Sequence, residues 1–463
     1  MRHFHRGNLA AMFINRTETI IGNRVQLNYG AAVTDIDGDG HFEIIVTGYG
    51  FPNTVLKWMG DGLHDITPPE LADFERMSIG VATGDLDADG REEIYILNAD
   101  TFGGRKRFGD RLFAHNGRRF IDLFAQKSNL LVANMVAGRS VAVVDRLGTG
   151  RYSFYIANYG GPTRFYELDD DGHLVDVAQD AGVAYTAGGR SLLAAPLISN
   201  FMDIYAGNEN GPNYLFRNRG DGTFDEIGQL IGLDDPFQHA RGMAVLDGGG
   251  RFDLVIGNWE GFHRLYRNHP KGRWLEITPL LMAEPSRVRT VIAADFDNDG
   301  YEEIFFHNMG QANRLFSQVN GSWQAVSPGD ALEPGGYGTG AVVGDFDEDG
   351  WLELMLTHGE ANAQPMTLYK AEPNSHHWLR VLPLTAFGAP ARGAIVRLRA
   401  GERTQQRAID AGSGYLCQME PVAHFGLGEL TSTEYVEVIW PDGTKLQLAT
   451  PAVDQLLRVP YPE

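Results

Sequence analysis

The chain has 463 residues, 43% of them hydrophobic, and carries a net charge of −21 with an isoelectric point near 5.1. That acidity excludes nucleic acid as a partner, because phosphate must be met by basic surface, and it suits solubility or cation binding. The lone cysteine, Cys417, excludes an internal disulfide and a thiolate metal cluster; its plain reading is a small buried apolar residue.

The first segment, "MRHFHRGNLAAMFINRTETI", lacks an apolar signal core. Nowhere is there a run of about 18 apolar residues, so no membrane span is expected. The sequons at Asn15 and Asn320 matter only in a eukaryotic secretory pathway. At 34–46 stands "TDIDGDGHFEIIV": Asp35, Asp37 and Asp39 alternate, Glu43 follows, and an apolar β-branched run begins at once. The pattern returns as "DLDADG" at 85, "DFDNDG" at 295 and "DFDEDG" at 345. Three degenerate copies lie between them, recognisable by their flanks: "GRSVAVVDRLGTGRYSFYIAN" (138–158), "GRSLLAAPLISNFMDIYAGN" (189–208) and "ARGMAVLDGGGRFDLVIGN" (240–258). Anchors at 35, 85, 145, 196, 247, 295 and 345 make seven units at roughly 50-residue spacing, the period of a repeat architecture.

Each unit reads alike. A Gly/Ala/Val run enters the loop and an apolar run leaves it ("EIIVTG", "FDLVIGN"). A third strand follows a Gly/Asn-rich turn ("NTVLKW", "NYLFRN", "MTLYK"), and a fourth closes the unit ("GTFDEI", "RWLEIT"). Four short strands without helical period describe one propeller blade. The expected fold is all-β: a seven-bladed β-propeller over 13–371 and a small C-terminal β-sandwich-like domain over 372–463. The early "MFINRTETI" echoes the outer-strand pattern and is expected to complete blade seven, leaving the ring no open edge.

The units resemble FG-GAP/VCBS repeats, the calcium-loop blades found also in integrin α-chain propellers. The tail resembles the ASPIC/UnbV domain through "HHWLRVLPL" (376–384), "ARGAIVRLRAG" (391–401), "AGSGYLCQMEPVAHFGLG" (411–428) and "VEVIWPDGT" (436–444). Together they are similar to the cartilage acidic protein family, in a bacterial-type form with no EGF-like module after the tail. The resemblance implies an extracellular or cell-envelope location. Three central loops depart from it by losing their acids.

Alternating aspartates with glycine at position six fold a tight loop whose carboxylates converge on one hard cation, and oxygen-only ligation selects Ca²⁺. An EF-hand is excluded because its twelfth position would fall on Val46, Ile96, Phe306 or Leu356, inside a strand. Carried over from the resemblance, about four Ca²⁺ sites are implied. Their side-chain ligands are Asp35, Asp37, Asp39 and Glu43; Asp85, Asp87, Asp89 and Glu93; Asp295, Asp297, Asp299 and Glu303; and Asp345, Asp347, Asp349 and Glu353. The backbone carbonyls of His41, Arg91, Tyr301 and Trp351 complete the shells. The degenerate loops are expected to hold no metal.

A second frame position recurs. Six residues before the anchor, consecutive units carry Arg139, Arg190, Arg241 and Arg289, at the strand end opposite the loops. The outgoing strands return to that end and finish in Asn158, Asn208, Asn258 and Asn308. Two readings stay open. These residues form a ligand-binding mouth for an anionic small molecule, or the asparagines make Asx turns and the arginines pair internally with Glu209 and Glu260. "RGD" at 219–221 is ordinary Asp-Gly hairpin chemistry, and no G-x-S-x-G, H-E-x-x-H or P-loop occurs. The expectation is a monomeric, non-catalytic binding protein with a protein or glycan partner. The alternative is an enzyme of sugar or natural-product metabolism acting at the mouth.

Overall fold

Each Gly/Ala/Val run before a loop becomes the innermost strand of a blade. These strands are Asn28–Thr34, Ser78–Gly84, Gly138–Val144, Thr186–Ala195, Ala240–Asp247, Val288–Ala294 and Gly338–Gly344. Crowded around one axis, they are buried on both faces, so small side chains replace the in–out alternation of a half-exposed strand. The computed structural model describes residues 11–462, and the first half of the segment read for a signal core lies outside the described residues.

Every blade is an antiparallel meander of four strands. In blade one, Asn28–Thr34 pairs with Glu43–Gly48, then Thr54–Trp58 and Leu63–Asp65. Blades three and four merge into one sheet where Tyr159 faces Gly188 and Pro162 faces Thr186. In blade seven the fourth strand is Phe13–Asn15, antiparallel to Thr367–Ala371, with Phe13 opposite Ala371 and Asn15 opposite Tyr369. The chain's start thus closes the ring, as its outer-strand pattern suggests. Phe13 locks it by packing edge-on against Phe296, ring centroids 4.8 Å apart, a burial worth about 1.5–3 kcal/mol.

The tail is a two-layered β domain on the loop face of the ring. A sheet of Ala423–Gly428, His377–Pro383 and Leu456–Val459 packs on one of Arg403–Ala408, Ile395–Ala400, Tyr435–Ile439 and Lys445–Ala449. Leu379, Val381, Val396, Leu398, Phe425, Val438 and Trp440 fill the space between them.

Between Ala408 and Ala423 the tail does something the blade frame does not foretell. The segment 410–420 dips into the central channel and comes back out. Ala411 exchanges backbone bonds with Ala194 (2.8 and 2.9 Å), Gly414 accepts from Met243 (2.9 Å), and Gln418 donates to Ala31 (2.9 Å), so blades four, five and one all grip it. Leu416, at the tip, has φ +62°, and Gly412 and Gly414 lie at +74° and +80°. The propeller makes room by omitting side chains: a methyl on Gly30 would overlap the Leu416 carbonyl, and one on Gly340 would sit 2.8 Å from Cys417 Sγ. Cys417 is fully buried, as its plain reading has it, and burial pushes its thiol up to about 11.

Candidate functional site

The intact loops share one geometry. The glycine amide at position six donates to the first aspartate: Gly40 to Asp35 (2.8 Å), Gly90 to Asp85 (3.0 Å), Gly300 to Asp295 (3.0 Å) and Gly350 to Asp345 (2.9 Å). These glycines have φ near +90°, closed to other residues without strain. The position-two amide donates to one glutamate oxygen: Ile36 to Glu43 (2.7 Å), Leu86 to Glu93 (2.7 Å), Phe296 to Glu303 (3.1 Å) and Phe346 to Glu353 (2.7 Å). At position seven, His41, Arg91, Tyr301 and Trp351 donate their amides back to Asp39, Asp89, Asp299 and Asp349 at 2.7–3.0 Å.

The loops differ in what faces the acids. In blade one, Lys57 Nζ lies 2.6 Å from Asp37, 2.7 Å from Asp39 and 2.8 Å from Glu43. In blade seven, Lys370 Nζ lies 2.8 Å from Asp347, 2.7 Å from Asp349 and 2.5 Å from Glu353. Both lysines occupy the same register on the third strand, where blades two and six carry Ala114 and Ser317. In blade two, Asp85, Asp87 and Glu93 bring ligand atoms within 4.8 Å of one another, as do Asp295, Asp297 and Asp299 in blade six. Among the described residues, no basic side chain makes an ion pair with the blade-two acids. Burial, with neighbouring carboxylates adding to it, pushes Asp85 up to about 7, Glu93 to about 9 and Asp295 to about 8.

The degenerate loops satisfy themselves. Asp203 and Asp253 stand where the others carry glutamate. Asp203 accepts the amides of Ile198 (2.7 Å), Ser199 (3.0 Å) and Asn218 (2.8 Å), and Asp253 accepts Arg267 Nε at 3.1 Å. In blade three, Arg146 pairs with Glu167 (Nη2 to Oε2 2.8 Å) beside Ser153.

The tail grips the intact cages from outside. Arg380 Nη1 donates to Asp345 Oδ2 at 2.9 Å and its other end pairs with Glu420. Gly426 donates its amide to Asp295 Oδ2 (2.9 Å), His424 Nε2 lies 2.6 Å from Asn298 Oδ1, and Arg392 Nε donates to Glu92 (2.8 Å).

At the opposite end of the channel, the structure brings Arg139, Arg190, Arg241 and Arg289 to the wall of one cavity of about 460 Å³. Glu209 serves two of them, Arg190 Nε at 2.6 Å and Arg241 Nη2 at 3.0 Å, and Arg289 pairs with Glu360. Arg139 donates to the Thr101 and Phe102 carbonyls. Glu260 is not a partner of the cluster; it takes Arg287 at 2.8 Å. Nor do the asparagines reach the mouth. The side-chain amides of Asn158, Asn208, Asn258 and Asn308 donate to the carbonyls of Pro162, Pro212, Phe262 and Ala312 at 2.6–2.7 Å, so each braces its own turn. His307 and His358 also stay buried in their blades, His358 against Glu333 at 2.9 Å. Missing from the sequence-based mouth are Phe102 and Tyr415, the latter carried there by the channel segment. Although burial pushes its phenol up, Arg289, Arg190, Arg241 and Arg139 together hold it below its ordinary value.

The "ASPIC and UnbV" family model matches residues 386–463, and the "FG-GAP-like repeat" model matches 13–96, 246–306 and 295–356. Cartilage acidic protein 1 of Xenopus tropicalis is 44% identical over 97% of this chain and 77% of its own length. The chain belongs to the cartilage acidic protein family. The human cartilage acidic protein 1 is 46% identical over 95% of the chain and 73% of its own length. Neither model matches the internal stretch 97–245, which holds blades three and four. Among solved structures, BBS1N in complex with ARL6DN aligns with a TM-score of 0.48 at 11% identity, covering 79% of this chain and 98% of that one. YCF48 bound to D1 peptide aligns at 0.46, also at 11% identity, over 78% and 94%. Among the described residues, no helix is long and apolar enough to cross a membrane.

Two signals for the channel segment were present in the chain. One is the run "AGSGYLCQME", too small and too glycine-rich for a sandwich strand. The other is glycine at positions 30, 80 and 340 of innermost strands, where β-branched residues pack better if nothing else occupies the axis.

Proposed function

We propose that this chain is a calcium-stabilised, non-catalytic binding protein, its cages fixing the face on which the tail docks and its ring presenting a surface to a protein or glycan partner. A repeat propeller of the cartilage acidic protein family fits a binding role. The observation that carries the calcium reading is the blade-two cage, where Asp85, Asp87 and Glu93 converge opposite Ala114. A second is Asp295 Oδ1, which is buried and finds no hydrogen-bond partner. Three carboxylates in a shielded loop repel one another, and a hard divalent ion held by oxygen ligands offsets that repulsion. These all-oxygen donor sets fit Ca²⁺ by their chemistry.

The four cages are not equal on this reading. The blade-two and blade-six cages would take the ion directly, through Asp85, Asp87, Asp89 and Glu93 and through Asp295, Asp297, Asp299 and Glu303. The cages of blades one and seven already hold a lysine ammonium, so calcium there must displace Lys57 or Lys370. When bound, the ion supplies charge neutralisation and rigidity; the residues supply the turn.

Elemental analysis after exhaustive dialysis, paired with melting curves in calcium, magnesium and chelator, tests the proposal. Tight retention of about two ions and a melting temperature lowered by chelator are expected, since a site at about 100 times its dissociation constant adds about 2.7 kcal/mol. Calcium should restore the loss and magnesium should do so poorly. Identical melting in chelator and calcium would rule the reading out.

A further inference from the structure

The tail's channel segment and the arginine ring meet at one place. We propose that the cavity there is a composite site for a small oxyanion-bearing molecule of roughly monosaccharide size. Its wall is Arg139, Arg190, Arg241 and Arg289 from four consecutive blades, its sides are Phe102 and Trp259, and its floor is Tyr415, fed through the ring by the tail.

The charge balance carries the argument. Four guanidiniums face the carboxylates of Glu209 and Glu360. The remaining acid on the wall, Asp100, is turned to the amides of Arg107 and Phe108 at 3.1–3.2 Å. Positive charge is therefore in excess inside a half-enclosed space, where it is poorly screened. The guanidiniums are also short of acceptors. The Nε atoms of Arg139, Arg241 and Arg289 are buried and find no hydrogen-bond partner, and Arg241 and Arg289 are only 3% and 7% exposed.

The cluster is also held open rather than collapsed. Arg190 lies over Phe102 (5.0 Å) and Tyr159 (4.7 Å), and Arg289 lies over Trp259 (4.3 Å), so aromatic faces fix the forks in place. Forked donors in a fixed array match carboxylate, sulfate or phosphate. Phe102, 63% exposed, offers the remaining surface for the ligand's ring. A cavity of about 460 Å³ lies in the range of small-molecule sites. The site is incomplete without the tail, since the floor belongs to a different domain from the wall.

Calorimetry on the full calcium-loaded chain at low ionic strength tests the inference, with sulfate, inorganic phosphate and glucuronate as probes and glucose as the neutral control. Saturable binding of at least one anion is expected, and none of glucose. Binding of glucuronate alone assigns a carboxylate ligand; binding of the tetrahedral ions alone assigns a sulfate or phosphate ester. Arg139→Gln, at the one arginine outside the ion pairs, should weaken binding about ten- to a hundred-fold. Tyr415→Phe keeps the ring in place and should weaken it several-fold. Melting in calcium and in chelator, run on the same samples, reports separately on the cages. Absence of saturable anion binding overturns the inference, as does affinity unchanged in both variants.

Discussion

The guanidinium of Arg380, in the tail's first strand, donates at 2.9 Å to Asp345, the first carboxylate of the blade-seven cage. Its other end meets Glu420, where the channel segment leaves the ring. One buried side chain thus joins the tail sheet, a cage and the segment in the axis. Truncating it as Arg380→Ala leaves two buried carboxylates without their cation, which costs about 3–5 kcal/mol. Urea unfolding should show that loss, and Arg380→Lys should recover part of it. A cost below about 1 kcal/mol, the scale of a surface pair, would mean the junction is solvated.

On the calcium reading, Lys57 and Lys370 stand where the ion would bind and would have to be displaced. Lys57→Ala and Lys370→Ala should each raise calcium affinity at that loop by about tenfold or more, because ligand charge sets affinity in such sites. Equilibrium dialysis of the double variant should count about two more tightly held ions than the parent. An unchanged count would show that the ammonium and calcium do not share the space.

His263 is expected to make blade five acid-sensitive. Its Nδ1 accepts the Asn258 amide at 3.0 Å and its Nε2 lies 3.0 Å from Ser286 Oγ, so the ring is neutral with the proton on Nε2. Burial, helped by Arg314 and Arg264, pushes it down to about 3 from an ordinary value of 6.5. The unfolded chain therefore binds the proton first, and stability falls as pH drops below 6.5 and goes on falling to about 3. By pH 5 the loss is about 2 kcal/mol. Asparagine fills the same turn position in other blades, where Asn53, Asn213 and Asn313 accept the matching amide at 2.8–3.0 Å. His263→Asn should flatten the melting profile between pH 6.5 and 5, and an unaltered slope would clear this histidine.

The channel segment needs the bare backbone at Gly30. Gly30→Ala places a methyl on the Leu416 carbonyl, and overpacking of this kind costs about 1–3 kcal/mol. Because the obstruction lies in the axis, the variant should also expose Cys417, buried in the parent. Labelling by a thiol reagent at neutral pH reads this directly. A variant as slow to label as the parent would show that the innermost strand gives way instead.

Much of this molecule was legible in local pattern. Alternating aspartates fixed the loops, their spacing fixed the blades, and the outer-strand echo around Phe13 located the ring's closure. Those features depend on residues within a few positions of each other or on a strict period. Partners chosen by tertiary geometry were not legible. Glu260 and Glu360 occupy the same place in their units and both have positive φ, yet Glu260 turns to Arg287 and Glu360 to Arg289. The cage lysines were missed because their register on the third strand shows only once that strand is paired. The asparagines followed neither expectation: each donates its side-chain amide to the carbonyl four residues on, a local brace that competes with a longer-range role as an Asx turn would.

The occupied axis bears on the order of assembly. Phe13–Asn15 and its partner Thr367–Ala371 both precede the channel segment in the chain, so both leave the ribosome before any residue of that segment exists. The ring can therefore latch while its axis is still bare, with the tail's loop entering the axis afterwards. On that order the channel segment enters as a key into a closed ring, not as one more turn of a spool.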